Sequence, residues 1–188
     1  MKYIALDIGN VCIKVDHASA FARMGFRGAP GAEVLLAAQA FECGRLSADA
    51  LFGVMQKQPE TSGKSRKELL DDFNSILVEP VAGMSELIKS LPARGIQPVF
   101  FSDISYIHLA GTRELFPAAE VIPCGIYSFQ VGALKPSEKM FRAFERRFGE
   151  PLLYVDDRKE LIEAAQRHGW NAWQFESAAA LAEKLKVH

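Results

Sequence analysis

The chain has 188 residues, 49% of them hydrophobic, and a formal net charge of −1. That length suits one domain, or one domain carrying a small insertion, and that charge, with Lys and Arg spread along the chain, offers no basic surface to nucleic acid or an anionic membrane. No apolar run approaches the ~20 residues of a membrane span, no signal-peptide pattern opens the sequence, and three unclustered cysteines (Cys12, Cys43, Cys124) form neither a disulfide framework nor a zinc signature. A reduced, cytoplasmic protein is expected, as a monomer or homodimer. In chain order, "YIAL" (3–6) comes first, a short continuous apolar run that reads as a strand buried on both faces. Residues 17–78 then hold helix-like pieces ("GAEVLLAAQAFE", "SADALFGVMQKQ", "SRKELLDDFNSIL") between glycine- and proline-bearing turns, with one polar linker-like stretch, "PETSGKS". "PVAGMSELIKSLPARG" reads as a helix from Pro80 to Gly95, proline at its start and glycine at its stop. "PVFF" (98–101) is a second buried strand, and "AEVIPCGIYSF" (119–129) holds a weaker one. "PSEKMFRAFERRFG" runs as a helix from Pro136 to Gly149, with Phe141, Phe144 and Phe148 on one face. "LLYV" (152–155), the helix "KELIEAAQRHG", the edge strand "NAWQF" (171–175) and the helix "SAAALAEKLK" complete the chain.

This alternation predicts an α/β fold, a doubly wound parallel sheet of Rossmann-like type. Residues 17–78 read as a small helical cap inserted after the first strand, leaving 1–16 and 79–188 as the core. In such sheets ligands bind outside the carboxyl ends of the strands. There the first strand delivers Asp7, "PVFF" delivers Ser102 with Asp103 behind it, and "LLYV" delivers Asp156 and Asp157. Lys135 stands between the last two strands in "GALKPSEKMF".

These groups suit phosphoryl transfer. An aspartate can attack phosphorus to form an acyl phosphate, but its charge repels the phosphate dianion, so cations are needed. Asp7 and Asp157 suit Mg²⁺, which takes a few carboxylates and keeps water and substrate oxygens. Lys135 adds fixed positive charge and Ser102 a neutral donor. Backbone N–H groups of the turn around Gly9 and Asn10 suit phosphate oxygens, with glycine opening backbone geometries closed to other residues.

Asp7, Ser102, Lys135 and Asp156–Asp157, in that order, resemble the four motifs of the haloacid dehalogenase superfamily of hydrolases. The resemblance covers residues 7 to about 165. It implies that Asp7 is the nucleophile, that Asp156–Asp157 form the acidic metal motif, and that the Gly9 carbonyl also holds the metal. It likewise implies the Mg²⁺, the helical cap and a small phosphorylated metabolite as partner. "DIGNV", "FECGRLSADALF", "FSDIS" followed by His108, and "GALKPSEKMF" resemble a branch that includes phosphatases of sugar phosphates such as α-D-glucose 1-phosphate. Most phosphatases of the superfamily carry a second aspartate where this chain has Gly9. That aspartate protonates the leaving alcohol and then activates water, help worth ~10²–10⁴-fold. A phosphatase with another proton source, a haloacid dehalogenase (halide leaves without a proton), and a non-catalytic binder of phosphorylated ligands are the three resulting classes; the acid pair favours the first.

Several residues have two readings. Asp156 binds metal directly or holds the Lys135 region, with direct binding placed first on Asp157. Ser102 and Asp103 contact phosphate or cap the following helix, the cap being preferred for Asp103. Glu42 is a cap residue reaching the substrate or a solvated helix end. Asp16 and His17 read as a hinge, with His17 a lesser candidate for the missing acid. His108 reads as a helix-surface or packing residue rather than a catalyst, Cys12 as packing, and "KSRK" as a solvated helix face. "SGKS" (62–65) is not a phosphate-binding loop: Gln58 stands where its first glycine belongs, and no strand precedes it.

Overall fold

The computed structural model describes residues 2–187. Five parallel strands form one sheet: β1 (Lys2–Leu6), β4 (Ile96–Ser102), β5 (Gly125–Tyr127), β6 (Leu153–Asp156) and β7 (Ala172–Gln174), in the order β5-β4-β1-β6-β7. β1 is central, with Leu6 opposite Phe100 of β4 and Val155 of β6. The continuous apolar runs follow from this placement. Successive side chains alternate faces, and both faces are covered. Ile4, Leu6, Phe100, Leu153 and Val155 join one buried cluster, while Ala5, Val99, Phe101 and Tyr154 join the other. The first is closed by α5 (Met84–Ser90) and α10 (Ala178–Lys184), the second by α8 (Glu138–Phe148) and α9 (Lys159–His168). On α8, Phe141 and Phe144 are buried and Phe148 packs at the margin. This is the doubly wound Rossmann-like arrangement expected from the sequence, with helices inserted after the first strand. α6 (Tyr106–Leu115) and the one-turn α7 (Ser128–Val131) complete the core.

The insertion contains α1 (His17–Met24), α2 (Ala32–Glu42), α3 (Ala48–Gln56) and α4 (Arg66–Asn74). They enclose an apolar cluster of their own, including Met24, Val34, Phe41, Phe52, Met55 and Phe73. Two short strands bracket it. β2 (Ile13–Val15) and β3 (Leu77–Pro80) pair antiparallel, Lys14 opposite Glu79, so the chain leaves and re-enters the core at one place. This pair and α1 lie outside the elements expected from the sequence, and the next helix does not begin at Pro80. In fact Pro80 lies in β3, and α5 begins at Met84 behind Gly83. Similarly, Pro136 precedes α8, whose cap is Ser137. Asp16, read as a hinge, caps α1: its carboxylate accepts from the Ser19 N–H at 2.9 Å. Cys12 is buried in the core, as read. Among the described residues no helix is long and apolar enough to cross a membrane.

Candidate active site

The carboxyl ends of β1, β4 and β6 bring the expected residues together. Asp7, Ser102, Lys135 and Asp156 are all buried. The Lys135 ammonium lies 3.0 Å from Asp7 Oδ1 and 2.6 Å from Asp156 Oδ2, and it donates to the Phe101 carbonyl at 3.2 Å. Burial alone would lower the Lys135 pKa. Asp7, Tyr154, Asp156 and Asp103 together outweigh it and hold that pKa well above its ordinary value. Lys135 is therefore a permanent cation.

The three acids differ. Burial pushes Asp7 up to about 7, with Lys135 opposing and Asp156 adding repulsion. Its Oδ1 is buried and faces the Lys135 ammonium at 3.0 Å as an ion pair, with no further hydrogen-bond partner. Asp156 is kept charged. Burial raises its pKa, but Lys135 and hydrogen bonds from Tyr154 and the Arg158 N–H bring it below the ordinary value. Both its oxygens are used: Oδ2 accepts from Lys135 and the Tyr154 hydroxyl, Oδ1 from Arg158 N. Asp157 is half-buried, and its Oδ2 accepts from Asn10 Nδ2 at 3.0 Å. Oxygens of Asp7, Asp156 and Asp157 all lie within 4.8 Å of one another. A hard divalent cation suits an all-oxygen set with an unsatisfied carboxylate oxygen.

Two backbone expectations are corrected. Gly9 does not adopt a glycine-only conformation; in its turn it is Asn10 that has positive φ, at 52°. The Asn10 N–H is not directed at a ligand either, since it donates to the Ile13 carbonyl at 2.7 Å. Its side chain works instead as a clamp, donating to Asp157 and accepting from the Val15 N–H at 3.2 Å. Nothing steric requires glycine at position 9: a Cβ there would meet Val15 at 3.8 Å, an ordinary contact. Gly9→Asp is therefore expected to fold with a stability change within about 1 kcal/mol. Denaturant midpoints of the two proteins check this, and a loss well beyond ~1 kcal/mol would contradict it.

Asp103 does not cap the following helix. Ser105 does, accepting from the His108 N–H at 3.2 Å, whereas Asp103 Oδ1 accepts from the Lys135 N–H at 2.9 Å. Asp103 thus fixes the backbone that presents Lys135. The Ser102 hydroxyl contacts Asp7 and stabilises its charged form. Of its two readings, His108 is packing and not helix surface: it is buried, stacked on Phe73 at 4.1 Å and bonded through Nε2 to the Phe73 carbonyl at 3.0 Å.

Glu42 ends α2 at the edge of this site. Gly44, at φ +66°, lets the chain pass so near α7 that a Cβ would collide with the Phe129 carbonyl oxygen. The Ser128 hydroxyl donates to the Glu42 carbonyl at 2.6 Å. The "FECG" segment is thereby tied to the core as well as to the insertion, whose apolar cluster holds Phe41. A cavity of about 120 Å³ is lined by Asp7, Gly9, Glu42, Ser102, Asp103 and Lys135, among others, and His17 and Arg158 border it. Burial, then the charge of Asp103, pushes Glu42 up to about 7. Glu42 is half-buried rather than fully solvated.

The sequence reading missed Arg158, Tyr154 and Gln39, which borders an adjoining pocket with Glu42 and Lys135. Two of these carried signals. Arg158 directly follows the acid pair at the strand end. Tyr154 stands two residues before Asp156, and so on the same face of β6.

No protein-family model matches the sequence, and no curated protein matches it. Solved structures do match in fold. A HAD (haloacid dehalogenase) family enzyme of Bacteroides thetaiotaomicron, in its magnesium complex, superposes with TM-score 0.79 at 20% identity, over 94% of each chain. The same enzyme with magnesium and inorganic phosphate gives 0.77 at 18%, over 94% of this chain and 95% of that one. L-2-haloacid dehalogenase of Xanthobacter autotrophicus, with chloropropionic acid covalently bound, gives 0.65 at 13%, over 100% and 83%.

Proposed function

We propose that the chain is a Mg²⁺-dependent phosphatase of the haloacid dehalogenase-like hydrolases, acting on small phosphorylated metabolites through a phosphoryl group carried on Asp7. One observation carries this reading: a buried carboxylate at the end of the central strand, with an unsatisfied oxygen, a lysine ammonium 3.0 Å away and two further acids within 4.8 Å. A same-fold enzyme that holds magnesium and inorganic phosphate supports it. In this reading residues 17–78 are the cap.

Asp7, Asp157 and the Gly9 carbonyl would hold the ion, with Asp156 in reach but already committed to Lys135 and Tyr154. Bound there, Mg²⁺ supplies positive charge against the phosphate oxygens. Asp7 attacks phosphorus, and the ester P–O bond breaks. Lys135 and Ser102 face the charge on the transferring group. The leaving oxygen takes its proton from Glu42, an acid on the cavity wall whose pKa burial raises to about 7. Glu42 then takes a proton from the water that attacks the aspartyl phosphate, which releases inorganic phosphate and restores Asp7.

Asp157→Asn is expected to raise the Mg²⁺ concentration giving half-maximal activity at least ~10-fold. A metal titration of phosphate release checks it, and an unshifted midpoint would remove Asp157 from the metal site. Halide release from 2-haloacids without phosphate release would favour the dehalogenase class. Sugar 1-phosphates, implied by the branch resemblance, expel a comparatively stable anomeric oxygen and so suit a site with glycine at position 9.

Glu42→Gln tests the proton carrier. Alkyl esters are expected to slow by ~10²–10⁴-fold and aryl esters much less. Stability gives a second readout. Glu42 ordinarily titrates at 4.5 and is raised to about 7 here. The folded chain thus holds a proton that the unfolded chain releases, and its stability falls as pH rises through that window. Glu42→Gln removes this loss: no change below pH 4.5, and a gain of about 1–3 kcal/mol at pH 8. Chemical denaturation at the two pH values, with the ester series, decides it. Equal slowing of all esters would leave Glu42 without the proton role.

A further inference from the structure

We propose that the organic half of the substrate is an apolar group about the size of one aromatic ring, seated in a chamber inside the helical insertion. This rests on the phosphatase reading above and names its substrate class. The chamber has a volume of about 200 Å³, and an apolar cavity of ~150 Å³ accepts benzene. Its walls include Phe21, Met24, Val34, Met55, Phe73 and Ile76. His17, Glu42, Ile76 and His108 line both this chamber and the phosphate-sized cavity over Asp7, so the two spaces adjoin. A phosphomonoester with its phosphorus at Asp7 has its ester oxygen beside these residues and its organic group beyond them.

The polar inventory argues against a sugar. Among the described residues lining the chamber, the polar side chains are His17, Gln39, Glu42 and His108. His108 Nε2 is already bonded to the Phe73 carbonyl at 3.0 Å. A pyranose ring would carry hydroxyls past Met24, Met55 and Phe73 with no partner, and buried unpaired hydroxyls are costly. An apolar ring instead gains from leaving water. A phenolic ring adds an independent advantage, because its oxyanion departs with less need of a proton than an alkoxide, which suits glycine at position 9.

The test measures binding first, so that it does not depend on turnover. Calorimetry with Mg²⁺ compares benzylphosphonate, methylphosphonate and 2,3-dihydroxypropylphosphonate on wild type and Ala38→Leu, which adds carbon to the chamber wall. Benzylphosphonate is expected to bind wild type at least ten times more tightly than the other two. Ala38→Leu is expected to abolish that margin while leaving methylphosphonate unchanged. If Ala38→Leu does not fold, the wild-type margin decides. Benzylphosphonate binding no better than the dihydroxypropyl compound, or no phosphonate binding at all, overturns the proposal. Turnover is then compared for benzyl phosphate and glucose 6-phosphate, which both expel a primary alkoxide. The margin surviving while neither ester, nor acetyl phosphate, is hydrolysed supports the chamber and rejects the phosphatase reading.

Discussion

Asp7→Asn is expected to fold normally and to lose phosphate release by at least ~10³-fold. The amide keeps the shape of the carboxylate but cannot accept the phosphoryl group. Folding survives because the charge at Asp7 is itself costly: burial raises its pKa to about 7. Lys135 keeps Asp156 at 2.6 Å, so the variant leaves no unpaired buried cation. Melting curves and steady-state rates, measured together, check both halves. Wild-type rates in a folded Asp7→Asn protein would mean that another group attacks phosphorus, or none does.

Lys135→Met is expected to lose activity and, unlike Asp7→Asn, to lose stability by about 3–5 kcal/mol at pH 8. Lys135 is the buried cation between Asp7 and Asp156, at 3.0 and 2.6 Å. Removing it leaves two carboxylates facing each other away from water, and such uncompensated charge is strongly destabilising. The melting temperature should fall by roughly 10 °C for a chain of this size. The deficit relative to wild type should shrink at pH 5, because without the ammonium both acids protonate more readily as pH falls. Denaturant midpoints at pH 8 and pH 5 measure this. A variant as stable as wild type at pH 8 would show that Lys135 does not hold the acids together.

Much of this was legible in the sequence, for identifiable reasons. Strands buried on both faces leave continuous apolar runs, so β1, β4 and β6 stood out, and their terminal residues followed directly. β2 and β3 did not. Three- and four-residue strands such as "IKV" and "LVEP" carry no periodicity, and their pairing across some sixty residues depends on the insertion between them. Position 9 was misjudged for a related reason. A glycine after a strand suggested unusual backbone, but the positive φ fell on Asn10, whose side chain gains by clamping Asp157. Asp103 was misassigned because two residues, Asp103 and Ser105, precede α6 with capping side chains; only geometry shows Ser105 taking the cap and Asp103 turning to the Lys135 backbone. Glu42 is ambiguous in the sequence because its neighbours at the site, Asp103 and the Ser128 hydroxyl, are distant along the chain.

If Asp7 is the nucleophile, a phosphoryl group forms on it in the presence of Mg²⁺ and can be trapped. Wild type, Asp7→Asn and Glu42→Gln, mixed with acetyl phosphate and Mg²⁺ and quenched in acid within the first turnovers, can be digested and weighed by mass spectrometry. One phosphoryl group is expected on the peptide containing Asp7 in wild type, more of it in Glu42→Gln, and none in Asp7→Asn or without Mg²⁺. Steady phosphate release with no adduct on that peptide, or an adduct that persists in Asp7→Asn, would contradict it.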